Sequence, residues 1–327
     1  MDMFLKVRNL FASKILKNSY VLNYLYNYYY LKKNKKKFLD EMYRRAQLSF
    51  FDYKELSVEL PFCPLEFVKD TNLYGYADSI KKYTGLSKLN VSMEHGLYYD
   101  DNYIPLASYS KTIRKIITMS EIRKSLNEKM LKKKAIAIGP YIHYANSILS
   151  KDAISKLKKK YGKILLYFPS HGSVEKKYSY EIDSFIQEIN KIKDVYGFDT
   201  VFVNMYYYDI LHTDYAFKYE EAGFIVTTAG HRYDLNFLSR LKSIIELADA
   251  TVSNSFGTNI GFSIYLNKPF IYLSKESTLS DKTMISEVLN AFHDNKLTIT
   301  EQQYSLVSKY WGFDSIKTPE QIRDFCN

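Results

Sequence analysis

Four short stretches combine residue types that handle protons and anions: Glu94-His95-Gly96, Ser170-His171-Gly172, Gly230-His231-Arg232 and Ser253-Asn254-Ser255-Phe256-Gly257-Thr258. Three of the six histidines stand in them, each beside a glycine. A carboxylate or an imidazole can take a proton from an attacking hydroxyl. Glu94 is therefore the first candidate for a general base and His95 the second. The run from Ser253 to Thr258 offers three hydroxyls, the Asn254 amide, and a glycine, Gly257, that lets backbone approach a ligand closely. Free amides at the helix start that follows suit a phosphate. Arg232 can fork onto the same anion through two N–H bonds, and Ser170, His171 and His231 can add donors.

Each stretch also has a plainer reading. Ser, Asn and Thr are good helix caps, so 253–258 can be an ordinary turn. Arg232 can pair with Asp234 or Glu246, and Glu94 with a lysine. A histidine after a strand often bonds only to loop backbone. Other chemistries lose support because their motifs are missing. There is no Gly-x-Ser-x-Gly elbow, His-Glu-x-x-His, Asp-x-Asp, P-loop or Gly-x-Gly-x-x-Gly fingerprint.

These residues need elements to hold them. From residue 56 short apolar runs alternate with helical stretches. Strands are expected at Leu56–Phe62, Leu89–Glu94, Lys115–Met119, Ala135–Ile138, Lys163–Phe168, Thr200–Met205, Gly223–Thr228, Ala250–Val252 and Pro269–Leu273. Helices are expected at 77–83, 120–132, 180–192, 235–247, 258–266 and 280–292, with a last one from Pro319. Strands alternating with helices imply parallel sheets covered on both faces. The predicted class is α/β, with two Rossmann-like domains facing a cleft. A helical extension over 1–48 precedes an N-terminal domain at 49–150. A C-terminal domain follows at 151–300, and 301–327 cross back to the first. Ligands of open α/β sheets lie beyond the carboxyl ends of the strands, where all four stretches fall.

The chain has 327 residues, enough for two cores. Its net charge of +10 suits nucleic acid, anionic headgroups or phosphorylated substrates. No zinc-finger spacing, aromatic-basic RNA motif or basic zipper occurs, so nucleic acid is not an expected partner. Tyr and Phe number 32 and 20. Lys, Ile and Asn are abundant too, as AT-rich coding would produce, so no single Tyr counts as a signal. Cys63 and Cys326 form neither a disulfide framework nor a metal spacing, which fits a reducing cytoplasm. No signal peptide is read, nor any apolar run of roughly 18 residues that would span a membrane. Residues 1–48 lack Gly and Pro, repeat Leu22, Leu25 and Tyr29 at helical spacing, and carry lysines 32, 33, 35, 36 and 37. Such a helix can lie peripherally on an anionic membrane surface or pack on the domain with its lysines in water.

The stretch Leu247-Ala248-Asp249-Ala250-Thr251-Val252-Ser253-Asn254-Ser255, with Phe256-Gly257-Thr258 and Leu266-Asn267-Lys268-Pro269-Phe270-Ile271, resembles the donor-site strand, helix and following strand of GT-B glycosyltransferases. The likeness is to enzymes of bacterial surface-polysaccharide clusters (capsule, O-antigen, lipopolysaccharide). Asn267 replaces the glycine usual there. Glu94-His95-Gly96 and Ile117-Thr118-Met119-Ser120-Glu121 resemble elements of the N-domain in capsule and teichoic-acid transferases. The resemblance covers roughly residues 56–295 and implies a GT-B fold. It implies transfer from a CMP-, UDP-, GDP- or dTDP-sugar to a glycan or lipid-linked glycan, without a cofactor or bound metal. The His-Pro dipeptide of sialyltransferase-like enzymes is missing. Alternatives are a polyol-phosphate transferase of the teichoic-acid type and a non-catalytic subunit of a glycan assembly complex.

Overall fold

The computed structural model describes residues 20–98, 103–104, 108, 112–172, 181–273, 283–292 and 297–327. In chain order the first elements are α1 (Tyr20–Ala46), α2 (Tyr53–Ser57), α3 (Tyr76–Thr84), β1 (Ser92–Met93), β2 (Lys115–Thr118), α4 (Glu121–Leu131) and β3 (Lys134–Ala137). Then come α5 (Lys151–Tyr161), β4 (Ile164–Phe168), α6 (Ile182–Tyr196), β5 (Thr200–Asn204), α7 (Tyr207–His212), α8 (Tyr215–Glu221) and β6 (Ile225–Thr227). The chain continues through α9 (Phe237–Leu247), β7 (Ala250–Ser253), α10 (Thr258–Tyr265), β8 (Phe270–Tyr272), α11 (Met284–Ala291), α12 (Glu301–Trp311) and α13 (Pro319–Cys326).

The strands form two parallel sheets, ordered β1-β2-β3 and β6-β5-β4-β7-β8. The class is α/β, with two doubly wound units facing a cleft and a helical extension in front. In the second sheet the order reverses between β4 and β7, which register Phe168 against Ser253 at their carboxyl ends. All five residues of β4 are buried, as continuous apolar strands covered on both faces should be.

Some elements differ from the sequence reading. No strand forms over Leu56–Phe62. Tyr53–Ser57 makes a helical turn instead, and Pro61 and Pro64 beyond it have no N–H for a ladder. Helix α5, where the sequence reading expected no helix, opens the second unit, with the Ser150 hydroxyl capping Ala153 N–H. The short helices α7 and α8 sit between β5 and β6, where no helix is expected.

One hydrophobic core runs through both units. It joins Ile117 and Met119 of the first sheet region to Ile164, Leu166 and Phe168 of the second, with Tyr141, Leu238, Ile244 and Trp311 between them. The Ser49–Glu59 stretch rests on the second unit: Phe50 O accepts from Thr228 N–H at 3.1 Å, and Leu56 O from His231 N–H at 3.1 Å. The C-terminal segment returns to the first unit. Arg323 donates to Thr84 O at 2.8 Å, and Tyr83 donates to Lys317 O at 3.2 Å. Gly312 (φ +72°) makes the turn; a Cβ there would lie 2.1 Å from Met119 O.

Candidate functional site

A cavity of about 590 Å3 opens between the two sheets. The chain just beyond β1 supplies His95, Gly96, Leu97 and Tyr98 to one wall. The ends of β4, β5 and β6 supply Phe168, His171, Tyr206 and Ala229, and the turn after β7 supplies Ser255 to Asn259. This is the crevice that a doubly wound sheet leaves at its switch point.

The wall from β7 is built by a small set of bonds. Ser253 Oγ donates to Phe168 O at 2.8 Å, and Ser255 N–H returns to Ser253 Oγ at 3.2 Å. Asn254 Oδ1 accepts from Ser170 N–H at 2.6 Å, while its Nδ2 donates to Ser170 Oγ at 3.2 Å. Ser253, Asn254 and Ser170 are thus the staples that lock the ends of β4 and β7 together. They leave Ser255, Gly257 and Thr258 on the cavity. Gly257 starts α10 without a side-chain cap, and that helix start, with its positive dipole end, lines the cleft.

The opposite wall centres on His95. Its Nδ1 lies 3.5 Å from Asp70 Oδ2 and 2.9 Å from the Tyr98 hydroxyl. The His95 side chain is 36% exposed. Asp70 sits in a short 3-10 turn that Thr71 clips in place: Thr71 Oγ1 donates to Val91 O at 3.3 Å and accepts from Met93 N–H at 3.2 Å. The two walls meet where Leu97 N–H donates to Thr258 Oγ1 at 3.2 Å.

Aromatic rings close the cavity. His171 packs on Tyr206 with centroids 4.4 Å apart. Tyr74 packs on Phe237 at 5.1 Å. Tyr74 is held at φ 58°, with its N–H on Arg232 O at 2.7 Å. Burial pushes the hydroxyls of Tyr74, Tyr98 and Tyr206 above the usual phenol range. They stay protonated and able to donate.

Of the residues singled out from sequence, His95, His171, Ser255, Gly257 and Thr258 line one cavity. Ser170, Ser253 and Asn254 support it. The others do not face it. Glu94 is 2% exposed. Its carboxylate takes Arg123 at 2.5 Å and Asn127 Nδ2 at 3.0 Å, and it also accepts from the Thr118 hydroxyl. The structural ion pair is thus the better account of Glu94, with arginine rather than lysine as partner.

His231 is 1% exposed. Its Nδ1 accepts from Tyr233 N–H and its Nε2 lies 3.1 Å from Glu59, so the proton belongs on Nε2 and donates to Glu59. Gly230 (φ +101°) is the turn that admits Arg240. Arg232 does not line the cavity. It lies over the Tyr233 ring at 5.2 Å, and its charge sits near the hydroxyls of Tyr207, Tyr206 and Tyr74. Asp234, offered as its partner, is taken by Arg240 at 2.8 Å.

Sequence reasoning missed Asp70, Tyr74 and Tyr206. Asp70 lies 25 positions before His95 with no motif between them, and single tyrosines carry no signal in a chain with 32 of them. Among the described residues no group of three or more His, Cys, Asp or Glu side chains is arranged to hold a metal ion.

No protein-family model matches the sequence, and no curated protein matches it. Solved structures that resemble it include the MnaA–UDP complex of S. aureus, at 12% identity and TM-score 0.41, covering 67% of this chain and 60% of that one. A glycosyltransferase from Rickettsia africae gives 14% identity and TM-score 0.34, over 72% of this chain and 68% of that one. The wall teichoic acid polymerase TagF gives 12% and 0.35, over 72% and 62%. The chain therefore spans about 60% of the MnaA chain. All three TM-scores lie below 0.5.

Proposed function

We propose that the protein is a glycosyltransferase that moves a sugar from a nucleotide donor to a hydroxyl of a glycan or lipid-linked glycan in bacterial surface-polysaccharide synthesis. One observation carries the reading. An uncapped helix start and a histidine bonded to Tyr98 beside Asp70 face each other across one cavity of about 590 Å3. That volume lies within the range of sites for small organic ligands.

In this reading the donor phosphates sit at the start of α10, against the amides near Gly257 and Thr258 and the Ser255 hydroxyl. The nucleoside stacks among His171, Tyr206 and Phe256. His95, beside Asp70, takes the proton of the acceptor hydroxyl as its oxygen bonds to the anomeric carbon. The bond from that carbon to phosphate oxygen breaks, and the nucleotide leaves with the electron pair. The helix dipole and the tyrosine hydroxyls stabilise the charge that develops on it.

Calorimetry and thermal shift of the full chain against UDP, CMP, GDP, dTDP and CDP-glycerol test the donor site. One nucleotide should stabilise the fold, and the matching sugar nucleotide should support transfer. Preference for CDP-glycerol, with glycerol phosphate in the product, would assign the cleft to a polyol-phosphate transferase. Failure of every nucleotide to bind would leave a non-catalytic subunit.

A further inference from the structure

The inner face of α1 is fixed by contacts. Asn27 donates to Phe67 O at 2.8 Å and Asn34 to Phe62 O at 2.7 Å. Phe38, Met42 and Arg45 are buried on the same side. At about 100° per residue, Val21, Leu25, Tyr29, Lys32, Lys36 and Tyr43 then form one outward stripe. Its apolar members are well exposed: Val21 63%, Leu25 54%, Tyr29 56% and Tyr43 76%. The helix carries five lysines and two arginines against Asp40 and Glu41.

We infer that this stripe docks the protein peripherally on an anionic lipid bilayer. Val21, Leu25 and Tyr29 can dip into the headgroup layer, where tyrosine keeps its hydroxyl wet. Lys32 and Lys36 lie within the stripe itself. Lysine is depleted from the core of a protein–protein interface. On a membrane its stem can lie along the surface while the amine reaches the phosphates. The stripe therefore fits a bilayer better than a second copy of the chain. No helix among the described residues is long and apolar enough to cross a membrane, so the contact is with the surface.

The test is co-sedimentation of the full chain with phosphatidylcholine vesicles, with and without phosphatidylglycerol. Binding should require the anionic lipid. Lys32→Gln and Lys36→Gln should each weaken it about five-fold, the equivalent of roughly 1 kcal/mol per surface charge, and high salt should erase that difference. Leu25→Ser with Tyr29→Ser should weaken binding at any salt while leaving the thermal midpoint in place, since these side chains are exposed. Equal binding to neutral vesicles, or wild-type binding by these variants, would overturn the inference. So would a dimer in vesicle-free buffer that Tyr29→Ser dissolves. Lipid binding is read without sugar transfer, so it stands or falls apart from the proposed activity.

Discussion

A carboxylate that already accepts from a guanidinium, an amide and a hydroxyl has little capacity left to take a proton from a substrate. Glu94 is in that state, one residue before the half-exposed His95. The two should respond to substitution in opposite ways. Glu94→Gln leaves Arg123 buried without its counter-charge, which costs about 3–5 kcal/mol. The thermal midpoint should fall by many degrees, while the molecules that remain folded keep their nucleotide affinity. His95→Gln should leave the midpoint nearly unchanged and lower turnover by roughly 10²–10⁴-fold, the usual worth of a general base, again without loss of nucleotide affinity. A His95→Gln enzyme with wild-type turnover would remove it from the chemistry.

Some helices begin on side-chain hydroxyls, while others, α10 at the cleft among them, begin without a side-chain cap. Thr283, Thr300 and Thr318 each form a capping box, whereas α10 starts on uncapped Gly257. Thr300→Ala should cost about 1 kcal/mol, seen as a lower urea midpoint with an unchanged slope. Helix α10 also depends on a glycine. A Cβ at Gly261 would lie 2.1 Å from the Trp311 ring, and that ring is fully buried. Gly261→Ala should therefore overpack the α10–α12 contact by about 1–3 kcal/mol. Trp311 is the sole tryptophan, so its fluorescence should report the displacement directly.

The two units are joined by buried polar links as well as by core. Arg45 donates to Leu56 O at 2.7 Å and Val58 O at 2.6 Å, and Arg240 reaches Arg45 O at 2.9 Å. His231 meets Glu59 in the same seam. Burial lowers the His231 pKa below 6.5, although Glu59 opposes the shift. The unfolded chain then takes up a proton near pH 6.5 that the folded ring refuses. Stability from this group is full above about pH 6.5 and is lost as pH falls through the lower folded value. His143 shifts in the same direction through burial and Lys242, so it contributes to the same slope. Thermal midpoints between about pH 7.5 and 5 should decline, and His231→Gln should flatten part of that decline. An unchanged slope in the variant would place the acid sensitivity elsewhere.

Helices α2, α5, α7 and α8 went unread, but the strands, the parallel sheets and the 253–258 turn were legible in the sequence. They depend on apolar runs, glycines and caps that act over a few residues. Topology then places the crevice at the carboxyl ends of the strands. Which neighbour faces the crevice is a different matter, because successive side chains at a strand end point to opposite sides. Only packing sent Glu94 inward to Arg123 and left His95 at the cavity. Only tertiary structure brought Asp70 to His95, or set Glu59 against His231 from 172 positions away. The strand expected at Leu56–Phe62 failed for a local reason: Tyr53–Ser57 closes into a helical turn and Pro61 has no N–H for a ladder. Gly230-His231-Arg232 turned away from the cleft for a global one: the Ser49–Glu59 stretch covers it, and the sequence carries no mark of that contact.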